Sequence, residues 1–385
     1  MRLPSRLRVL QVLLLLFVAA TTLILVDGCD AFGRAAQGDR KLRMEQSPQW
    51  QDGHFVNPQP LQNDVGLTLK GLFHVDPHAS PDPPLQVKPI DPQRFLTPPP
   101  SGLRVTWLGH STTLLEVDGR RVLTDPQWSE RASPLTWLGP KRWYPPPIAL
   151  ADLPPIDAVV ISHDHYDHLD MQTIVAMKEW KNTQFFVPLG VGAHLEHWGI
   201  PSRQITELDW WGEAQIADLR IVCTPARHAS GRTGLDKDAT LWAGWALIGP
   251  QHRVYFSGDT GLFRAMREIG QKLGPFDLTL IEVGQYHEAW PDWHIGPEQA
   301  VEAHQRVQGR VLLPIHWALF QLAYHGWTEP GERVAAESAR KTVEILTPQP
   351  GESVEPTLHP RTAHWWPQLP WHTGAENPIV SHDAE

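Results

Sequence analysis

Ten residues, Ile161-Ser162-His163-Asp164-His165-Tyr166-Asp167-His168-Leu169-Asp170, constrain this chain more than any other stretch. They carry three histidines and three carboxylates. They follow directly on Asp157-Ala158-Val159-Val160-Ile161, an apolar run after the Pro154-Pro155 breaker that reads as a buried strand. Histidines two apart on extended chain project to the same side, so His163 and His165 face one point. A turn then carries Asp167 and His168 round to a second point close by. Ionisable groups crowded at a strand terminus repel one another or demand costly desolvation unless a cation compensates them. The stretch is therefore a metal-site signature in which one loop feeds two ions.

The chain around it supplies further strand ends. Leu103 to Leu108, Thr112 to Val117 and Arg121 to Thr124 are predicted strands, separated by Gly109-His110 and by the hairpin turn Asp118-Gly119. From Asp125-Pro126 to Pro147 no regular element fits, and a long loop beside the site is expected. Downstream, predicted strands (184–187, 219–224, 241–248, 254–257, 278–283, 311–314) alternate with predicted helices (171–180, 191–198, 261–269, 297–307). Strands first, then strands and helices in alternation, indicate an α/β (α+β) fold with sheets covered by helices. No internal repeat is present.

Three of those strand ends carry ligand-type residues. His228 follows Cys223-Thr224-Pro225-Ala226-Arg227, Asp259 sits in Gly258-Asp259-Thr260-Gly261, and His316 follows Leu312-Leu313-Pro314-Ile315. Together with the first loop they complete a set. His163, His165 and His228 would hold one zinc ion, Asp167, His168 and His316 a second, and Asp259 would bridge them. A paired cation centre acidifies water and neutralises the non-bridging oxygens of a phosphodiester, with Asp167 and Asp259 balancing part of the metal charge. Asp164 or Asp170 is expected to orient ligand imidazoles.

Residues 1–29 are expected to lie outside the fold as a signal peptide or membrane anchor. Arg2, Arg6 and Arg8 precede the apolar run Val9 to Val26, and Leu25-Val26-Asp27-Gly28-Cys29 resembles a bacterial lipoprotein processing box. The basic flank places the remainder outside the cytoplasm, tethered to the cell envelope. Residues 30–100 read as a Pro-rich spacer, residues 101–350 as the catalytic domain and residues 351–385 as a polar tail. Cys223 stands alone after Cys29, so no disulfide framework is on offer. A net charge of −10 opposes binding to nucleic acid. Tryptophan is over-used, 18 against 5 tyrosines, a distribution suited to a pocket wall, a membrane-facing rim or plain packing. The oligomeric state is left open.

The order H-x-H-x-D-H, His, Gly-Asp-Thr-Gly, His resembles the metallo-β-lactamase superfamily. Trp107-Leu108-Gly109-His110, Arg131-Ala132-Ser133-Pro134, Gly139-Pro140-Lys141-Arg142, Glu207-Leu208-Asp209-Trp210-Trp211, Gly274-Pro275-Phe276-Asp277-Leu278 and Ile315-His316-Trp317 look like the N-acylphosphatidylethanolamine-hydrolysing phospholipase D family. The resemblance implies a four-layer αββα sandwich, two zinc ions at one edge of the sheets, and release of N-acylethanolamine and phosphatidic acid from a phospholipid at a membrane surface. It implies that His110 lies behind the ligands and that His294 sits by the substrate pocket, where it would bind phosphate or protonate the leaving alkoxide. Tyr286 and Trp290 are expected to face substrate, and Tyr166, among the ligands, to hydrogen-bond a phosphate oxygen or simply to pack. Lys141 and Arg142 are candidate contacts for anionic lipid. Animal members of the family carry an arginine in the segment that reads Gly284-Gln285-Tyr286-His287-Glu288-Ala289-Trp290 here. On the residues alone two rivals stay open: a same-fold hydrolase of a lactone or soluble phosphodiester, and a zinc-binding lipoprotein without turnover.

Overall fold

The structure, a computed structural model, describes residues 9–15, 28–87 and 89–382. Two seven-stranded sheets form its body. A small hairpin, β1 (Trp50–Gln51) and β2 (His54–Phe55), comes before them. The first sheet holds β3 (Leu103–Gly109), β4 (Thr112–Val117), β5 (Arg120–Thr124), β6 (Ala158–Val160), β7 (Gln184–Pro188) and β8 (Ile205–Leu208). The second holds β9 (Glu213–Ile216), β10 (Leu219–Thr224), β11 (Gly244–Ile248), β12 (Arg253–Phe256), β13 (Phe276–Glu282), β14 (Gly309–Ile315) and β15 (Glu344–Ile345). Finally β16 (Ser353–Val354) returns to the first sheet beside β3. Each sheet is antiparallel at one side and parallel at the other, the change falling at the β5–β6 and β12–β13 pairs.

Side-chain alternation explains the layering. Along β4, Leu115 and Val117 join the cluster between the sheets, while Leu114 joins a second cluster beneath α3 (Met171–Met177) and α4 (Gly192–His197). On the far side, α6 (Pro297–Arg306) packs against β13 and β14, whose central residues are largely apolar because both of their faces are covered. Helices α5 (Ala265–Leu273) and α7 (Glu329–Lys341) complete that layer, giving an αββα sandwich. Fully buried side chains such as Phe185 and Phe256 each contribute about 2–3 kcal/mol. Most tryptophans serve the same end: Trp107 stacks on Trp317 at 5.7 Å, and Trp366 meets Trp317 edge-on at 5.1 Å.

Two segments differ from expectation. Residues 30–100 are no loose spacer, because they form α1 (Gly38–Glu45), the β1–β2 hairpin, α2 (Val65–Gly71) and a 3₁₀ turn at Pro92–Leu96. Phe55 and Phe95 bury fully on the body, and the proline-rich links lack donors that would need pairing. The described part of the expected tail, residues 351–382, is not free either. They supply β16, the buried Trp366 and Ile379, and Ser381, which donates to Pro291 O at 2.7 Å. Trp366 and Ile379 carry the packing, and most of the polar residues between them are exposed. The expected leader lies mostly outside the described residues. Residues 9–15 of it are helical, and no helix among the described residues is long and apolar enough to cross a membrane.

Candidate metal centre

The candidate ligands lie just past strand ends at one edge of the sandwich. His163 follows β6, His228 follows β10, Asp259 follows β12 and His316 follows β14. His163 Nε2 lies 2.8 Å from His165 Nδ1, and His228 Nε2 lies 3.3 Å from that same atom. Asp167 Oδ2 lies 3.2 Å from His168 Nε2 and 3.4 Å from His316 Nε2. Between these sets stands Asp259, whose Oδ2 is 3.1 Å from Nε2 of both His168 and His316 and 3.9 Å from Nε2 of both His163 and His228. The structure thus brings the seven residues read as ligands from the sequence together at one edge, with His110 beside Asp167, His168 and His316, and with Glu282 and His294 beside Asp259 and His316.

The imidazoles are aimed by what holds their other nitrogen. His163 Nδ1 meets Ser162 Oγ at 2.9 Å, His168 Nδ1 meets Asp125 Oδ2 at 2.7 Å, and His228 Nδ1 meets Trp293 O at 2.9 Å. A proton fixed at Nδ1 leaves the Nε2 lone pair pointing inward, as a ligand requires. His316, with φ 66°, occupies the left-handed region at the end of β14, a conformation disfavoured for a side chain and maintained by its surroundings.

Divalent cations fit this set. His168 Nε2 and Asp259 Oδ1 are buried without a hydrogen-bond partner, and nitrogen and carboxylate atoms converge where protein hydrogen bonds cannot satisfy them all. Burial opposes charge on His316, yet Asp259 and Asp167 push it up to about 10. A proton there takes the place of the positive charge that the acidic set is built to hold. Burial alone would raise Asp167 and Asp259, but His168 holds both well below the usual carboxylate range.

A cavity of about 390 Å³ opens over the ligands, with His165, Asp167, Asp259 and His316 on its floor. Trp290, Trp293 and Leu322 line it together with Asn63 and Thr68 from the N-terminal segment. His294 also lines it, with Nδ1 held 2.8 Å from Glu282 Oε2. Glu282 is fully buried, accepts from Thr260 N and is pushed well up by burial and by Asp259.

Several expected roles fall elsewhere. Tyr286 is buried, donates to Glu329 Oε1 at 2.8 Å and stacks on His325, so it faces the helical layer and not the cavity. Tyr166 donates to Arg232 O at 2.6 Å beneath the Arg232 guanidinium and opens on a neighbouring cleft. Asp164 accepts from Gly231 N and Thr240 Oγ1, and Asp170 caps α3, so neither orients a ligand imidazole. Arg142 is buried against the carbonyls of Tyr144 and Trp128, while Lys141 stays exposed beside Glu130.

Sequence reasoning missed Asp125, Glu282 and Trp293, and placed His110 only behind the ligands. His110 Nε2 lies 2.9 Å from Asp167 Oδ2, inside the second ligand group. Signals existed: Asp125 ends an apolar strand as the ligands do, and Glu282 is an acid inside an apolar run.

A family model described as a beta-lactamase superfamily domain matches residues 120–317. The chain is 49% identical over 331 residues to an uncharacterized protein of Mycobacterium tuberculosis, covering 84% of this chain and 88% of that one. It is 43% identical over 234 residues to N-acyl-phosphatidylethanolamine-hydrolyzing phospholipase D 1 of Caenorhabditis elegans, covering 58% of this chain and 65% of the nematode protein. Among solved structures, Igni18, a metallo hydrolase of Ignicoccus hospitalis, superposes with a TM-score of 0.51 at 25% identity, covering 66% of this chain and 97% of Igni18.

Proposed function

The chain belongs to the metallo-β-lactamase superfamily and is a metal-dependent hydrolase of that fold, and from this premise we propose that it cleaves N-acylphosphatidylethanolamine to N-acylethanolamine and phosphatidic acid. One observation carries the reading. The cavity joins a floor of metal-ligating groups to walls of Trp290, Trp293 and Leu322, so a phosphodiester at the floor would leave acyl chains against apolar surface. Similarity to the nematode enzyme supports the lipid class, although the chain spans less than two thirds of that enzyme's length.

His163, His165 and His228 would hold one zinc ion, Asp167, His168 and His316 the other, with Asp259 shared. When bound, such a pair supplies Lewis acidity toward the phosphodiester oxygens and acidifies water. Asp167 and Asp259 offset part of that positive charge. Glu282 fixes the His294 ring through Nδ1, which turns Nε2 toward the cavity to bind a phosphate oxygen or pass a proton to the departing alkoxide. The apolar N-terminal run tethers the domain to the cell envelope, outside the cytoplasm and beside its substrate.

The test is incubation of the zinc-loaded full chain with N-acylphosphatidylethanolamine, phosphatidylcholine and soluble bis(4-nitrophenyl) phosphate in parallel. We expect N-acylethanolamine and phosphatidic acid from the first and little choline from the second. Turnover of the soluble diester with neither lipid cleaved would overturn the lipid reading.

A further inference from the structure

Large apolar side chains stand in solvent beside the cavity and beside the neighbouring cleft that Tyr166 lines. α2 and the turn after it expose Val65, Leu69, Leu72 and Phe73, the last at 84%. The same segment sends Asn63 and Thr68 into the cavity wall, so its apolar edge is continuous with the rim. The helix is pinned in that position. Asp64 N donates to Ala289 O at 2.8 Å, the Asp64 carboxylate caps Leu67 N at 2.9 Å, and Tyr324 donates to Thr68 O at 3.2 Å.

A second prong is Leu235, 98% exposed at the tip of a loop folded around Asp236, whose carboxylate accepts from Arg232 N and Thr233 N. Lys237 of this loop lies 5.9 Å from the ring of Trp293, a cavity wall. A third is the exposed pair Trp137 and Leu138. Their loop shares a cleft with Tyr166 and Arg232, and Gly28, where the apolar N-terminal run meets the body, packs against its Leu135.

Resting on the lipid reading above, we propose that this rim is a docking face for a phospholipid bilayer. The apolar edge of α2, Leu235 and the Trp137–Leu138 pair enter the interfacial region and set the cavity mouth against the lipid. Two things select a membrane over a protein partner. An apolar run of bilayer-seeking composition joins the body next to one prong, and the exposed Lys70 and Lys237 flank the others, where lipid phosphates would meet them.

The experiment uses the full chain carrying C29S, which leaves Cys223 buried, with an environment-sensitive fluorophore at F73C or, as control, at E179C on an exposed surface. In phosphatidylcholine vesicles containing spin-labelled lipid, the label at 73 is expected to be quenched at least threefold more than the label at 179. Equal quenching overturns the proposal, as does self-association through this face without quenching. In a second arm, L69E/F73E is expected to lower the ratio of vesicle-lipid turnover to bis(4-nitrophenyl) phosphate turnover at least tenfold, and an unchanged ratio counts against docking. Strong quenching at 73 without any lipid hydrolysis by the unmutated chain supports the docking face and removes the substrate reading.

Discussion

The two halves of the ligand set are built differently. His163, His165 and His228 are all imidazoles, and the partners behind them are neutral: the Ser162 hydroxyl and the Trp293 carbonyl. The other half contains a carboxylate, Asp167, touched by His110, and its His168 is backed by the buried carboxylate of Asp125. Electrostatics follow from that. Burial, with the surrounding histidines, holds His163 well below its ordinary value, and burial does the same to His228, whereas His316 is pushed up to about 10 by Asp259 and Asp167 despite its burial. The all-imidazole half therefore owes its negative charge to Asp259, while the mixed half carries its own. A shared carboxylate joins the two unequal ligand groups.

Removing that shared group is the strongest way to break the contrast. Asp259→Asn retains the shape but takes the charge from the midpoint. Zinc content after loading is expected to fall by at least one equivalent, with kcat on the best phosphodiester down about 1,000-fold or more. Elemental analysis beside steady-state kinetics checks this. Full metal content in the variant would show that each half binds without Asp259.

Asp125→Asn probes the inequality itself. The amide still fills the space, but His168 loses its charged partner, and such a change typically weakens metal affinity 10- to 100-fold. The loss is expected in one half only. Titration with a chelator should remove one ion at lower concentration than in the unmodified protein while the other stays. Release of both ions together would mean that the halves are not separable.

How much of this was legible in the sequence depends on what held each residue in place. His163, His165, Asp167, His168, His228, Asp259 and His316 each follow an apolar run, and strand ends at a common edge bring them together whatever the loops do. Tyr286 shows where such reading stops. Its sequence neighbour Trp290 lines the cavity, yet its own direction is set by Glu329 of α7, far along the chain. Asn63 and Thr68 were hidden because a proline-rich segment gives no periodicity from which a cavity wall can be read. In the fold, the largely apolar strands β10, β13 and β14 were plain. β9, with its half-exposed Glu-Ala-Gln-Ile, and the two-residue edges β15 and β16 were not. α7 escaped notice because its buried face carries Arg333, Glu337 and Ser338, and Arg333 pairs there with Glu298 at 2.7 Å. Val334 is the one large apolar side chain on that buried face, so no apolar run marks the helix in the sequence.

His304 sharpens the comparison from outside the centre, with the smallest effect. It too is a buried imidazole, but its nearest polar partner is the Thr279 hydroxyl, 2.7 Å from Nδ1, and burial lowers it to about 4. His316, equally buried, moves the other way because carboxylates face it. The unfolded chain binds a proton at this histidine near pH 6.5, whereas the folded chain resists until about pH 4, so His304 contributes full stability above about 6.5. That contribution is lost as pH falls from there toward 4, and amounts to about 1 kcal/mol between pH 7 and 5.5. Comparing urea midpoints of the unmodified protein and His304→Gln at both values cancels acid losses common to the two. The unmodified protein is expected to lose about 1 kcal/mol more than the variant over this interval. An equal loss would mean that His304 takes up its proton in the folded state as readily as in the unfolded one, and that burial without a facing acid is not what separates it from His316.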